Sequence, residues 1–592
     1  MSSETTNGDN DASRKIVWRL IRETVPPRWR LYVLALVCVV GVAGFTAALA
    51  YSTKLIVNEV FVADDTSAAW KVALIVIGVS AGKSLFQYGN SVISFMFNRA
   101  VATTYQKRLF RTLLGLEVTH FAGKQASAQM AQLRLYGQAS ARVVVGVSIK
   151  MLTEFVTLVG LATVMVTQDV VMSLAAALLF PVIFLMIGSL SRRIRAVAQA
   201  ETDLTGAYFA IGSEAFAGIK TVKSYGLEQK SIGRFEAAVE MLQNRLLGIA
   251  KLTSATVPLM EFLGGLVIGA FVVYAAWQTI EHGKTPGEYT AFLTAFLMAY
   301  QPAERLSKEW VEIQKALIQA ARMNDLLDTP PRQPRGGGLD LADVSSEIRF
   351  ENVSFGYGRQ PALKEVSFEI EAGERVAIVG RSGAGKTTLI DLVQGFYQPD
   401  SGKITIGGRD IAEVRTEVLK DSIALISQDV FLFEGSIRDN IRDGNPHASD
   451  EDIEEAARRA QVTAFSGGMK KGLDSPVGPN GSFLSGGQRQ RVGIARALAK
   501  HAKIYVFDEA TSALDGITER DLMEEVFLSA GPEAVFLFVT HRASTLAYVD
   551  RVMLLDRGML IAFAEHDKLL SENETFRTLF DLALNEASKP RL

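Results

Sequence analysis

The chain has a single cysteine, Cys38, among 592 residues, which excludes an intrachain disulfide framework and any cysteine-rich metal site. It also lacks a positive surplus: 62 Lys and Arg stand against 64 Asp and Glu, a formal net charge of −2. Nothing in that balance points to nucleic acid, and no nucleic-acid partner is expected. Charged residues are sparse at 21%, hydrophobic ones reach 48%, and the mean hydropathy is +0.18. Those values exclude a disordered chain and are unusual for a soluble one. The length exceeds one ordinary core and leaves room for several domains.

Residues 1–13 lack the apolar stretch of a signal peptide. Glu4, Asp9 and Asp11 also depart from the acid-poor composition of a transit peptide. They read as a disordered cytoplasmic tail. Residues 14–30 mix basic side chains with Ile16, Val17, Trp18 and Leu20, as an amphipathic helix on the cytoplasmic membrane surface would. A solvated segment is the plain alternative.

The charge is divided unevenly. Residues 1–330 carry 31 basic and 24 acidic side chains, residues 331–592 carry 31 and 40. The first part holds six stretches close to the roughly 20 apolar residues that a helix needs to cross a bilayer. These expected spans are 31–53, 70–98, 143–167, 170–191, 252–280 and 289–312, within a transmembrane domain over 14–328. Segments 1–30, 99–142 and 192–251 hold 6, 7 and 9 Lys and Arg, whereas the intervening loops hold only Lys284. The positive-inside rule then places both termini in the cytoplasm of a multi-pass membrane protein. The long inner segments suggest spans that continue as helices beyond the membrane.

After Asp328 the run Thr329-Pro330-Pro331-Arg332-Gln333-Pro334-Arg335-Gly336-Gly337-Gly338 is too rich in Pro and Gly to pack, and 329–347 reads as a linker. From Ile348 onward, short β-rich runs at 348–355, 375–379, 503–507 and 534–539 alternate with helical stretches. That pattern predicts an α/β domain over 348–592 with a largely parallel sheet. The expected fold class is a membrane α-helical bundle joined to an α/β P-loop NTPase domain.

Gly380-Arg381-Ser382-Gly383-Ala384-Gly385-Lys386-Thr387 matches the P-loop pattern, after an apolar strand and before a helical run that begins with Thr388. The glycines let the backbone wrap phosphate oxygens, and the N–H groups of the helix start supply partial positive charge. Lys386 would reach the β- and γ-phosphates of ATP, and Thr387 would place its hydroxyl on Mg²⁺. The apolar run Ile504-Tyr505-Val506-Phe507 ends in Asp508 and Glu509. Asp508 suits a Mg²⁺ contact and Glu509 the polarisation of an attacking water. Standing alone, the two acids would read as a solvated turn. Between these motifs lies Leu484-Ser485-Gly486-Gly487-Gln488, a second anion-binding helix start in a chain whose nucleotide needs only one P-loop.

That element resembles the signature sequence of the ATP-binding cassette family, and the resemblance covers the whole chain: six spans, a linker and one cassette, like a half-size exporter. By the same resemblance, Tyr357 in Phe355-Gly356-Tyr357 is the aromatic that stacks on adenine. Gln428 in Ile426-Ser427-Gln428-Asp429 resembles the glutamine that senses the γ-phosphate and Mg²⁺, and Asp515 in Ser512-Ala513-Leu514-Asp515 the D-loop acid. His541 in Val539-Thr540-His541-Arg542 resembles the switch histidine. The resemblance implies catalytic roles for Glu509, His541 and Gln428. It implies Mg²⁺ held by Thr387, Gln428 and Asp508, and ATP shared between one chain's P-loop and the other chain's Ser485–Gln488. A second copy of the chain is therefore the expected partner. Segments 115–124 and 220–230 would hold coupling helices. One departure is Val477-Gly478-Pro479-Asn480-Gly481, where family exporters often carry a Glu in place of Pro479; a contact to the membrane domain through that Glu is in doubt.

Polar residues within the spans bear on the substrate. Ser80, Lys83, Gln87, Asn90 and Ser94 share one helical face, and such a stripe must face water or protein. Lys83, Gln87 and Asn90 are candidate residues of a substrate cavity; interhelical hydrogen bonding is the alternative. Lys150 and Glu154 are spaced as an i,i+4 ion pair. The expected activity is ATP-driven export, or leaflet-to-leaflet flipping, of an amphipathic or hydrophobic substrate by a homodimer with alternating access, amid membrane lipids. The expected location is a bacterial inner membrane. The alternative is a nucleotide-gated channel or regulator on the same scaffold.

Overall fold

The computed structural model describes residues 4–62, 66–116, 118–121, 126–177, 204–254, 256–282, 285–329, 340–341, 345–358, 360–510 and 516–578. The chain divides into two compact units, Met1–Pro331 and Arg332–Leu592.

Every element of the first unit among its described residues is a helix. Trp29–Leu55, apolar on every side, continues into a π-helical turn, Ile56–Val62. Thr66–Leu114 is one helix of 49 residues. At 1.5 Å per residue it measures about 74 Å, more than twice the ~30 Å of a hydrocarbon core. Ala126–Val145 and Met151–Gln168 are joined through a π-helical turn, Gly146–Lys150, and Pro286–Asp328 forms another long helix. Among the described residues, three stretches are long and apolar enough to cross a membrane: Pro26–Val62, Ala69–Leu114 and Gln129–Gln168. They contain the first three expected spans. The fourth begins with Val170–Ala177 and then leaves the described residues. The fifth and sixth fall on the helices Thr256–His282 and Pro286–Asp328, neither of which is among those three stretches.

Close packing of the first two long helices rests on small residues opposite large ones. Phe45 and Phe86 stack with ring centroids 5.6 Å apart. A Cβ at Gly41 would come within 2.4 Å of the Phe86 ring, and one at Gly82 within 2.5 Å of Phe45. Each helix thus receives its neighbour's ring at a glycine.

Three expectations are corrected here. The helix Glu4–Thr24 begins inside the stretch expected to be a disordered tail. Leu20 anchors this helix in the core, and Arg19 holds both carboxylate oxygens of Asp328, at 2.6 and 2.8 Å. Lys150 and Glu154 do not pair with each other. Lys150 closes the π-helical turn and meets Glu309 at 3.2 Å, while Glu154 meets Arg305 at 3.6 Å. Arg305 and Glu309 are themselves four apart on Pro286–Asp328, so two complementary couples face each other across helices. The linker is shorter than expected: Leu341 is buried in the core of the second unit, and the Glu347 carbonyl accepts from Gly407 N at 2.8 Å.

Among its described residues, the second unit has ten strands: β1 (Ile348–Tyr357), β2 (Gln360–Ile370), β3 (Arg375–Gly380), β4 (Ser401–Ile406), β5 (Arg409–Asp410), β6 (Ile423–Ile426), β7 (Ile504–Asp508), β8 (Val535–Val539), β9 (Arg551–Asp556) and β10 (Met559–Ala564). They form an antiparallel sheet ordered β2-β1-β4-β5 and a second sheet ordered β10-β9-β3-β8-β7-β6. In the latter, β9, β3, β8, β7 and β6 run parallel. β3 lies between β9 and β8, covered on both faces, and its Val376-Ala377-Ile378-Val379 run is buried without interruption. One core, with Phe350, Phe368, Leu389 and Val393, binds the first sheet to the P-loop helix. Another takes in the buried Val492 of the helix Gly486–Ala499 together with Ile437 and Ile453.

Candidate functional site

Topology gathers the motifs. The parallel strands β3, β8, β7 and β6 are consecutive neighbours, and each ends at a singled-out residue. β3 runs into the P-loop, β8 stops two residues before His541, β7 ends on Asp508, and β6 stops two residues before Gln428. Ligands of open α/β sheets bind outside these carboxyl ends.

In the P-loop, Gly383 and Gly385 adopt φ of +78° and +104°. At Gly385 a Cβ would also lie 2.7 Å from the Leu363 side chain and 2.9 Å from the Ala362 carbonyl, so no other residue fits. Lys386 and Thr387 open the helix Lys386–Val393. The buried Lys386 ammonium donates to the carbonyls of Gly380 at 2.7 Å and Arg381 at 3.2 Å. Burial lowers its pKa, while Glu509 and Asp508 act in the opposite direction. Arg381, Ser382 and Thr387 are exposed, Ala384 and Thr388 buried.

Glu509 follows β7 with a left-handed φ of +50°, and its N–H donates to the Val539 carbonyl at 3.0 Å. That bond holds an unfavourable backbone conformation and sets the carboxylate beside His541, whose Nε2 is 3.5 Å from Glu509 Oε1. Burial, with Lys386 next, keeps the His541 imidazole below its ordinary pKa. Burial and then Glu509 push the Asp508 carboxyl up, and Lys386 opposes them. Gln428 is exposed beyond β6. Asp515 and the rest of 511–515 lie outside the described residues.

Tyr357 ends β1 in the other sheet. Its hydroxyl accepts from Thr388 Oγ1 and donates to Asp391 Oδ2, both at 3.4 Å. Burial raises the Asp391 carboxyl to about 6. Asp391 is a site residue that the sequence reading missed. The available signal was its position three residues after Thr388 on one face of the P-loop helix.

Ser485 caps the helix Gly486–Ala499 through a reciprocal box with Gln488: Ser485 Oγ accepts from Gln488 N at 3.3 Å, and Gln488 Oε1 accepts from Ser485 N at 2.8 Å. Among the described residues, no hydrogen bond joins Ser485–Gln488 to the P-loop. Gly486 and Gly487 supply the first N–H groups of this helix. Pro479 opens a short 3₁₀ turn, Pro479–Gly481, ahead of it.

In the first unit a cavity of about 670 Å³ is lined by Gln87, Asn90 and Ser94 together with Arg142, Lys150 and Glu309. Lys83 is not among its lining residues. Seven residues of helix separate it from Asn90, about 10 Å along the axis, so a shared face does not mean a shared depth. Asn90 is buried and donates to Thr153 Oγ1 at 3.2 Å, so interhelical bonding accounts for that residue. Short helices occupy both expected coupling segments, Val118–Phe121 and Ile219–Ser224.

A family model described as "ABC transporter transmembrane region" matches residues 32–302, and one described as "ABC transporter" matches 363–512. An uncharacterized ABC transporter ATP-binding protein of Sinorhizobium fredii is 33% identical, covering 97% of this chain and 98% of its own length. The ATP-dependent lipid A-core flippase of Desulfotalea psychrophila is 30% identical over 96% of this chain and 100% of its own. Among solved structures, a bacterial Atm1-family ABC exporter with ATP bound superposes with a TM-score of 0.82 at 25% identity, covering 94% of this chain and 99% of that one.

Proposed function

The chain belongs to the ABC transporter family, and on that premise we propose that two copies, each with six spans, use ATP hydrolysis to move an amphipathic lipid-like substrate between the leaflets of a bacterial inner membrane, both termini being cytoplasmic. The observation that carries this reading is the gathering of the P-loop, Glu509, His541 and Gln428 at the ends of four adjacent strands, while Ser485–Gln488 stands on a separate helix start. One chain holds each element once, so two chains facing head to tail complete two identical sites.

The roles follow from the chemistry of each group. Lys386 and the N–H groups of the P-loop hold the β- and γ-phosphates, and Tyr357 stacks on the base. Thr387, Asp508 and Gln428 offer hard oxygen donors with a single carboxylate among them, a set that would hold Mg²⁺. Mg²⁺, when bound, neutralises charge that develops on the phosphates. Glu509 polarises the attacking water and takes its proton. His541, kept neutral by burial, holds a hydrogen bond at the γ-phosphate. The partner's Ser485–Gln488 closes over the same phosphate. Several relatives are lipid A-core flippases, which favours an amphipathic cargo. The turns Val118–Phe121 and Ile219–Ser224 transmit cassette closure to the spans.

Glu509→Gln tests the reading in the reconstituted protein. ATP should still bind, while hydrolysis and net transport fall by about 100-fold or more. Near-normal hydrolysis would remove Glu509 from this role.

A further inference from the structure

Stacking on a base needs only an aromatic ring, yet the residue at 357 carries a hydroxyl with a defined place. The ring is set edge-on to Phe355, with centroids 5.1 Å apart, and perpendicular to Tyr397 at 5.4 Å. Its hydroxyl reaches across to the P-loop helix, between Thr388 and Asp391, at 3.4 Å from each. The three groups form a chain with one polarity: Thr388 donates to Tyr357, and Tyr357 donates to Asp391.

Asp391 is otherwise hard to account for. A half-buried carboxylate on the helix that begins with Lys386 and Thr387 adds negative charge where a triphosphate is to bind, and it already faces Asp508. Among the described residues, the hydrogen-bond donor to its carboxylate is the Tyr357 hydroxyl. That bond is what an acid at this position supplies and an apolar residue would not.

We propose that Asp391 is a positioning residue for nucleotide binding: by accepting the Tyr357 hydroxyl it fixes the attitude of the base-stacking ring and ties it to the phosphate-binding helix. The inference rests on the reading of Tyr357 as the stacking residue. Its consequence is that the two sheets present base and phosphate subsites in a fixed relation, so position 357 requires tyrosine and not phenylalanine.

The test is a double-mutant cycle on the full chain carrying Glu509→Gln, with equilibrium ATP affinity read by calorimetry. Asp391→Ala and Tyr357→Phe should each weaken ATP roughly fivefold, the size of one net hydrogen bond. The double variant should be no weaker than either single one, because both remove the same bond. Asp391→Asn keeps an acceptor and should recover most of the affinity, which a variant with general misfolding would not do. With Glu509 intact, the change should fall on KM for ATP and much less on kcat. Multiplying effects in the double variant, or an unchanged Kd for Asp391→Ala, overturns the inference. If Tyr357→Ala leaves Kd unchanged, the stacking reading fails and the inference with it. If Tyr357→Ala weakens binding while Asp391→Ala does not, only the inference fails.

Discussion

His541 Nε2 stands 3.5 Å from Glu509 Oε1, a meeting arranged by β8 and β7, whose Val539 and Asp508 pair in register. The two side chains come from segments more than thirty residues apart, yet a single backbone bond, Glu509 N to Val539 O, sets their distance. His541→Ala should lower phosphate release by about 100-fold while ATP still binds, as the role proposed for the ring, on the reacting phosphate and not on the base, requires. Calorimetry beside a phosphate-release assay separates the two effects. Equal loss in both would contradict this role.

Asp391 links nucleotide affinity to pH-dependent stability. Burial lifts its carboxyl from 3.8 to about 6, so the folded cassette holds this proton more tightly than the unfolded chain does. Its contribution is therefore most favourable below the unfolded value and is lost as pH rises through about 6. Asp391→Asn should raise the melting temperature of the nucleotide-free protein more at about pH 8 than at about pH 5. A larger gain at the acid end would reverse the sign and refute the assignment.

The couples Lys150–Glu309 and Arg305–Glu154 form one crossed set between two helices. Lys150→Glu leaves three carboxylates together beside Arg305 and should cost about 1–3 kcal/mol, with Glu309 largely buried. Adding Glu309→Lys restores opposite charges and should recover most of the loss. Thermal unfolding in detergent, compared across the four proteins of the cycle, reads the coupling directly.

Asn58 does the capping work that Thr285 leaves undone at the start of Pro286–Asp328. Its Oδ1 accepts from Gly287 N at 3.0 Å, and Thr285 makes no side-chain cap of its own. A Cβ at Gly287 would lie 2.2 Å from that oxygen. Gly287→Ala should therefore expel the amide and destabilise the protein by about 1 kcal/mol or more, the loss of a cap. Asn58→Ala alone should cost a similar amount, and in that background Gly287→Ala should add little. Additive losses would mean that Asn58 is not what the new methyl group meets.

How much of this was legible in the sequence depends on how local each feature is. The P-loop, Asp508–Glu509 and Ser485–Gln488 are contiguous strings whose chemistry is carried by neighbours in the chain, and each appears where its pattern requires. The strand order β3-β8-β7-β6 that assembles them depends on long-range pairing that no single string encodes. Asp391 escaped notice because one acid on a short helix reads as a solvent-facing residue. Lys150 and Glu154 misled for the opposite reason: a spacing of four invites a local pair, and nothing in the string reveals a π-helical turn or the waiting Arg305 and Glu309. Lys83 shares a face with Asn90, but facial alignment is silent about depth. Leu341 follows the Pro- and Gly-rich run at 330–338 and so read as linker, although its side chain is buried in the cassette core.

The reciprocal cap at Ser485 has a further consequence. Because Ser485 Oγ receives the Gln488 N–H and the Gln488 side chain answers the Ser485 N–H, this helix start is complete within its own chain. The serine serves its cap as an acceptor, which leaves the hydroxyl hydrogen with no task there. The anion proposed to bind here would meet a preformed helix start, so gripping it would require no ordering of loose backbone and would lose little entropy. Letting go is equally simple: once the charge departs, nothing has to unfold. A helix start of this kind would suit repeated opening and closing of the proposed composite site.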